Sequence, residues 1–235
     1  YVARLHLPTR IWRLYRTGPI GELEVYQQEL ERIGIPAFCI TLETIASIPV
    51  VRVDSMKLTS DEVIFQGKDD DDRPQRIALV PGAIDRWVEG LLPIFEQVVD
   101  QGVWHTLVRK EKTQDYAHVI DFHCPRHQFI LRLCDRSYQF SDQEKLQSIH
   151  ALDQQISHLV THRQRWNDVL QQLQPLFGHL KTHHNFNLFA EAAFDQSLFV
   201  QRIVPHIDLM RAEESLWDSA FHLYSILHWL IPDLR

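Results

Sequence analysis

The apolar residues of this chain change their spacing once, at Phe140/Ser141, and that change limits what the chain can fold into. Before it, apolar runs are short and broken by turn residues, as in strands. After it, Leu146, Ile149, Leu152, Ile156, Leu159, Val160 and Trp166 recur every three or four positions, the spacing of one helix face. Ser141-Asp-Gln-Glu144 stands at the change as a capping box, in which the hydroxyl covers an open backbone N–H and Glu144 reaches back. No Gly/Ser linker separates the two parts. The expected organisation is therefore a mixed α/β part with a central sheet over residues 1–140, and a helical part over 141–235 packed tightly on it. The fold class is α+β, with the C-terminal helices antiparallel.

Within the first part, Arg10–Arg16 reads as a strand and Thr17–Gly21 as a turn. A helix through Leu23, Tyr26, Gln27, Leu30 and Ile33 ends at Gly34, and Ile35–Leu42 is a second strand, which makes a small α/β unit. Val50–Met56, Glu62–Phe65, Gln75–Val80, Val103–Val108, Ala117–Asp121 and Gln128–Leu133 read as strands. A helix is predicted from Ala83 to Val99 on Ile84, Trp87, Val88, Leu91, Leu92 and Phe95, kinked at Pro93. Asp69–Asp72 reads as a solvated loop, because four like charges in a row cannot sit in a core. In the second part a helix runs from Ser141 to Leu173, stopped by Pro175. Ser197–His228 is mostly helical with a boundary near Pro205, and Trp217–Ile231 is strongly apolar.

Composition excludes several classes. The hydrophobic share of 45% and charged share of 23% describe a folded soluble chain. The formal net charge of -7, spread over both halves without a basic stripe, argues against a nucleic-acid partner, although Arg10, Arg13 and Arg16 lie close together. The 3 cysteines are an odd number without regular spacing, so a disulfide scaffold is not expected and a reducing, cytoplasmic setting is. No apolar run of about 20 residues predicts a membrane span. The sequence begins at Tyr1 and not at Met, so it can be part of a longer protein.

The chain is histidine-rich, with 14 imidazoles. His118, His123, Cys124 and His127 are the densest group of metal-capable side chains, and zinc is the cofactor such nitrogen and sulfur donors would take. Their spacing matches no zinc-finger pattern, and a turn between two strands is the plainer reading. Asp121, His123 and His127 are the candidate acid/base residues, with Cys124 as a conceivable nucleophile. His158 and His162 could share a helix face, but the Glu of a His-Glu-x-x-His motif is absent. Asp135-Arg136 reads as a solvated turn pair. No Gly-rich phosphate loop and no Gly-x-Ser-x-Gly elbow occurs.

Six tryptophans are many for this length. Core packing explains most of them, while Trp217, Tyr224 and Trp229 on the apolar last helix are the candidate docking residues for a protein partner. The expected function is thus a non-catalytic binding, regulatory or assembly module acting through another protein or through self-association. The alternative is a metal-dependent hydrolase, a nuclease or phosphoesterase, built on His118–His127.

Overall fold

The computed structural model describes residues 14–101, 107–140, 161–189, 211–215 and 217–231, with 94–101, 107–115 and 211–215 described by backbone only. The chain divides into two compact units. One takes Tyr1–Ser47, Gly90–Tyr116 and His184–Arg235, and the other Ile48–Glu89 and Ala117–His183. The fold class is α+β, with a mixed sheet and C-terminal helices.

The second unit holds the clearer sheet. Val50–Leu58 (β1) and Val63–Lys68 (β2) pair antiparallel, as do β2 and Pro74–Leu79 (β3). The β2 burial alternates residue by residue, the sign of a strand with one covered face. Pro74 opens β3 on the sheet edge, where a missing N–H costs no ladder bond. The expected loop at Asp69–Asp72 joins β2 to β3. There the Asp69 carboxylate accepts from the backbone N–H groups of Asp71 (3.0 Å) and Arg73 (2.9 Å), and Asp72 takes a left-handed φ of 59°.

Between Val53 and Ser55 the β1–β2 register shifts, a bulge facing Gly67. A Cβ on Gly67 would run into the backbone carbonyl of Arg52 and stand 2.8 Å from the Val53 Cα, and backbone cannot rotate aside as a side chain can. Gly67→Ala is expected to cost about 1–3 kcal/mol in urea unfolding. A loss under about 0.5 kcal/mol would show that the bulge relaxes freely.

Strand β1 also pairs, in parallel, with Phe129–Cys134 (β6), which pairs antiparallel with the end of Leu107–Cys124 (β5). Arg86–Gln101 (β4) and Lys181–His183 (β7) pair in parallel at Arg86–Val88, giving the order β3-β2-β1-β6-β5-β4-β7. The helix expected over Ala83–Val99 is therefore a strand. Trp87 and Val88 are consecutive and both buried (5% and 0% exposed), so β4 is covered on both faces there. A strand buried on both faces shows no alternation and can mimic a helix face. Pro93 falls between the stretch of β4 paired with β7 and the stretch paired with Arg211–Ser215 (β8), so neither ladder needs its N–H.

The helix packed on this sheet is His162–Phe177. Trp166, Val169, Leu173 and Phe177 share a core with Val53, Phe65, Phe122, Leu131 and Leu133, and the Phe122 and Phe177 rings lie 5.0 Å apart. Its start corrects the single helix expected from Ser141. Thr161 is extended (φ -69°, ψ 154°) and forms its own capping box with Gln164. The Ser141 box and His158 lie outside the described residues, as does the boundary near Pro205. Pro175 does not end the helix, which continues to the buried Phe177. The missing N–H falls in the last turn, where little helix remains to break.

In the first unit, Ile20–Arg32 forms the expected helix (α1), and Gly34 follows it at a left-handed φ of 81°. The flanking strands of the expected α/β unit are absent among the described residues: 14–16 and 35–41 are irregular, with 10–13 outside them. Residues 35–41 lead instead into the short helix Leu42–Ala46 (α2), and the Cys39 N–H donates to the Gln27 side chain of α1 at 3.0 Å. His162–Phe177 is accordingly α3. Strand β8 pairs antiparallel with Ile94–Val98 of β4 where helix was expected, tertiary pairing overriding a sequence with little strand preference. Asp218–Leu230 (α4) is helical as expected and buries Ala220, Phe221 and all residues from Leu223 to His228. Gly90 makes room for it, since a Cβ there would press on the Phe186 and Phe221 rings at 2.8 Å. Among the described residues, no helix is long and apolar enough to cross a membrane.

Candidate functional site

Strand β5 carries most of the candidate residues, and its pleat decides which of them meet. Successive side chains on a strand point to opposite faces. His118, Ile120, Phe122 and Cys124 therefore share one face, the one under α3, while Val119, Asp121 and His123 share the other. His118 and Cys124 are six residues apart, about 20 Å along an extended strand. His127 lies beyond the strand, exposed in the Pro125–His127 turn with its ring 5.8 Å from that of Phe129. The four expected metal donors thus do not converge. Among the described residues no group of three or more His, Cys, Asp or Glu side chains is placed to hold a metal ion.

On the second face, Asp121 stands opposite Arg132 in the β5–β6 register. Arg132 donates from Nε to one carboxylate oxygen at 2.8 Å and from Nη2 to the other at 2.7 Å. Asp121 is fully buried, and the Arg132 side chain is 17% exposed. Two parallel charge-assisted bonds of this kind fix both side chains. His123, two residues along, has no exposed surface. Burial holds its imidazole down to about 3; the Asp121 carboxylate pulls the other way, and Arg86, His183 and Arg132 reinforce the lowering. At neutral pH it is an uncharged ring. Cys124, on the opposite face, is also fully buried, and burial together with Asp85 pushes its thiol up to about 12. The nucleophilic thiolate is therefore scarce at neutral pH.

The first face carries a different assembly at the start of the second unit's β5 segment. The Trp166 indole Nε1–H of α3 donates to His118 Nδ1 at 2.9 Å, and the rings meet edge to face at 5.9 Å. Glu89 Oε2 lies 3.7 Å from His118 Nε2 and accepts from the Trp87 indole at 3.1 Å. Asp135, expected as half of a solvated turn pair, sends its backbone N–H to the His118 carbonyl at 3.0 Å. It is only partly exposed, and burial raises its carboxyl above the ordinary value, against the opposing pull of its backbone hydrogen bonds and of His162 and His118.

Glu89, Arg132, Trp87 and Trp166 did not enter the sequence reading as site residues. Glu89 and Trp87 fell on a stretch read as helix, and the Arg132 pairing is visible only once the β5–β6 register is known. Of the three aromatic residues expected to dock a partner, Trp217 and Tyr224 are buried and Trp229 is half-buried. The Tyr224 hydroxyl accepts from the Asn185 N–H at 3.2 Å, and its ring packs with Phe186, Phe189 and His228. No family model, curated protein or solved structure matches this chain.

Proposed function

We propose that this chain is a non-catalytic binding, regulatory or assembly module that acts through protein–protein contacts. One observation carries the reading: the surface between Tyr15 and Leu42. Of the 11 exposed large hydrophobic residues among the described ones, six fall there: Tyr15, Ile20, Val25, Ile33, Ile35 and Leu42. Helix α1 within that stretch buries none of its 13 residues. Scattered apolar side chains are ordinary on a surface, and it is the concentration of six on one segment, around a helix with no buried residue, that supports an interaction site there. Tyr and Arg, the residue types that carry much of the energy in interfaces, stand beside it. Arg16 donates to the Tyr26 hydroxyl at 2.6 Å, and Tyr15 meets the Tyr26 ring edge-on.

The partner is another protein or a second copy of the chain, since a net charge of -7 disfavours a nucleic-acid backbone. Cys39, Cys124 and Cys134 form no disulfide with one another, which suits a cytoplasmic setting. Light scattering after size exclusion, on the purified chain and on material co-purified from its source cells, tests the reading. Association is expected, and Val25→Glu/Ile33→Glu should abolish it with the unfolding midpoint unchanged. A monomer at every concentration, with no stoichiometric partner that the double variant loses, would overturn the proposal.

A further inference from the structure

The indole N–H of tryptophan can only donate, so the nitrogen it meets on His118 must accept. With Trp166 on Nδ1 at 2.9 Å, the neutral His118 ring carries its proton on Nε2, the nitrogen facing Glu89. The one free lone pair of that ring is then the one Trp166 uses. A proton arriving from solvent has no other ring atom to occupy. Protonation converts Nδ1 from acceptor to donor and sets two N–H groups against each other.

We infer that His118 is a proton-operated clasp in the second unit, holding α3 to the sheet when neutral and releasing Trp166 when charged. The titratable groups around it come from three elements. Glu89 of β4 faces Nε2, Asp135 lies in the turn after β6, and His162 sits at the start of α3, where Asp135 feels both it and His118. On protonation the His118–Glu89 contact becomes an ion pair between two residues of the sheet, while the hydrogen bond that reaches α3 is lost. The His118 and Glu89 side chains are 18% and 24% exposed, so a proton can reach the pair without unfolding the unit.

The test is nitrogen-15 NMR of the whole chain, following the indole resonances of its six tryptophans from pH 8 to pH 5. Trp166→Phe assigns the peak. The Trp166 indole should titrate together with the His118 ring protons, and its protection from hydrogen exchange should fall about fivefold on protonation. In His118→Asn the amide oxygen stands near the Nδ1 position and accepts without titrating, so the Trp166 peak should stay fixed across the range. A Trp166 resonance that ignores the His118 titration in the wild type overturns the clasp whatever the variant does. So does one that moves equally in His118→Asn.

Discussion

Arg132→Met is expected to lower the unfolding free energy by about 3–5 kcal/mol, read as a shift of the urea midpoint at unchanged slope. Both Asp121 oxygens are engaged by this one guanidinium, and the Asp121 side chain has no exposed surface. Removing Arg132 leaves a carboxylate without its counter-charge in a site water does not reach. The magnitude belongs to that stranded charge and not to the pair itself, because the ion pair also gives up the hydration of two charges. The double variant Asp121→Val/Arg132→Met should therefore recover most of the loss, since the two positions face each other across β5 and β6 and would form an apolar cross-strand pair. A single variant within about 1 kcal/mol of wild type would mean that the pair behaves as a solvated one. A double variant as unstable as the single would mean that the charges set the register.

This pair also shows where the sequence stopped being readable. Strands β1, β2, β3 and β6 could be read because each follows turn residues, and β2 alternates strictly. The same local signals placed α1, Gly34 and α4. Strand β4 could not be read, because burial of both Trp87 and Val88 erases the period of two and leaves an apolar run that suits either element. The sequence reading grouped Asp121 with His123 and His127 as candidate acid/base residues but could not supply Arg132, which lies eleven positions from Asp121 and becomes its partner only through antiparallel register. His118, His123, Cys124 and His127 look like a cluster when counted along the chain. The pleat and the turn at Pro125 disperse them. Proximity in sequence is a weak guide to convergence in a strand, where each step reverses direction.

Acid should weaken the fold through His123 in a way that its replacement removes. The folded chain holds this imidazole at about 3, chiefly by burial, against an ordinary value of 6.5. Between those two values the unfolded chain binds a proton that the folded chain refuses. Stability therefore rises with pH across the window, is complete above 6.5 and is lost progressively as pH falls toward 3. From pH 7.5 to pH 4.5 this one group accounts for about 2–3 kcal/mol. Carboxylates titrating nearby add to the acid loss in any variant, so the informative quantity is a difference. Urea midpoints at the two pH values should fall further for the wild type than for His123→Leu, which fills the buried site with an apolar side chain and has nothing to protonate. If the two proteins lose stability in parallel, the refused proton is not on His123. If the variant is the more acid-sensitive, the Asp121 carboxylate beside it depends on the neutral ring for its burial, and the order of cause between the two is the reverse.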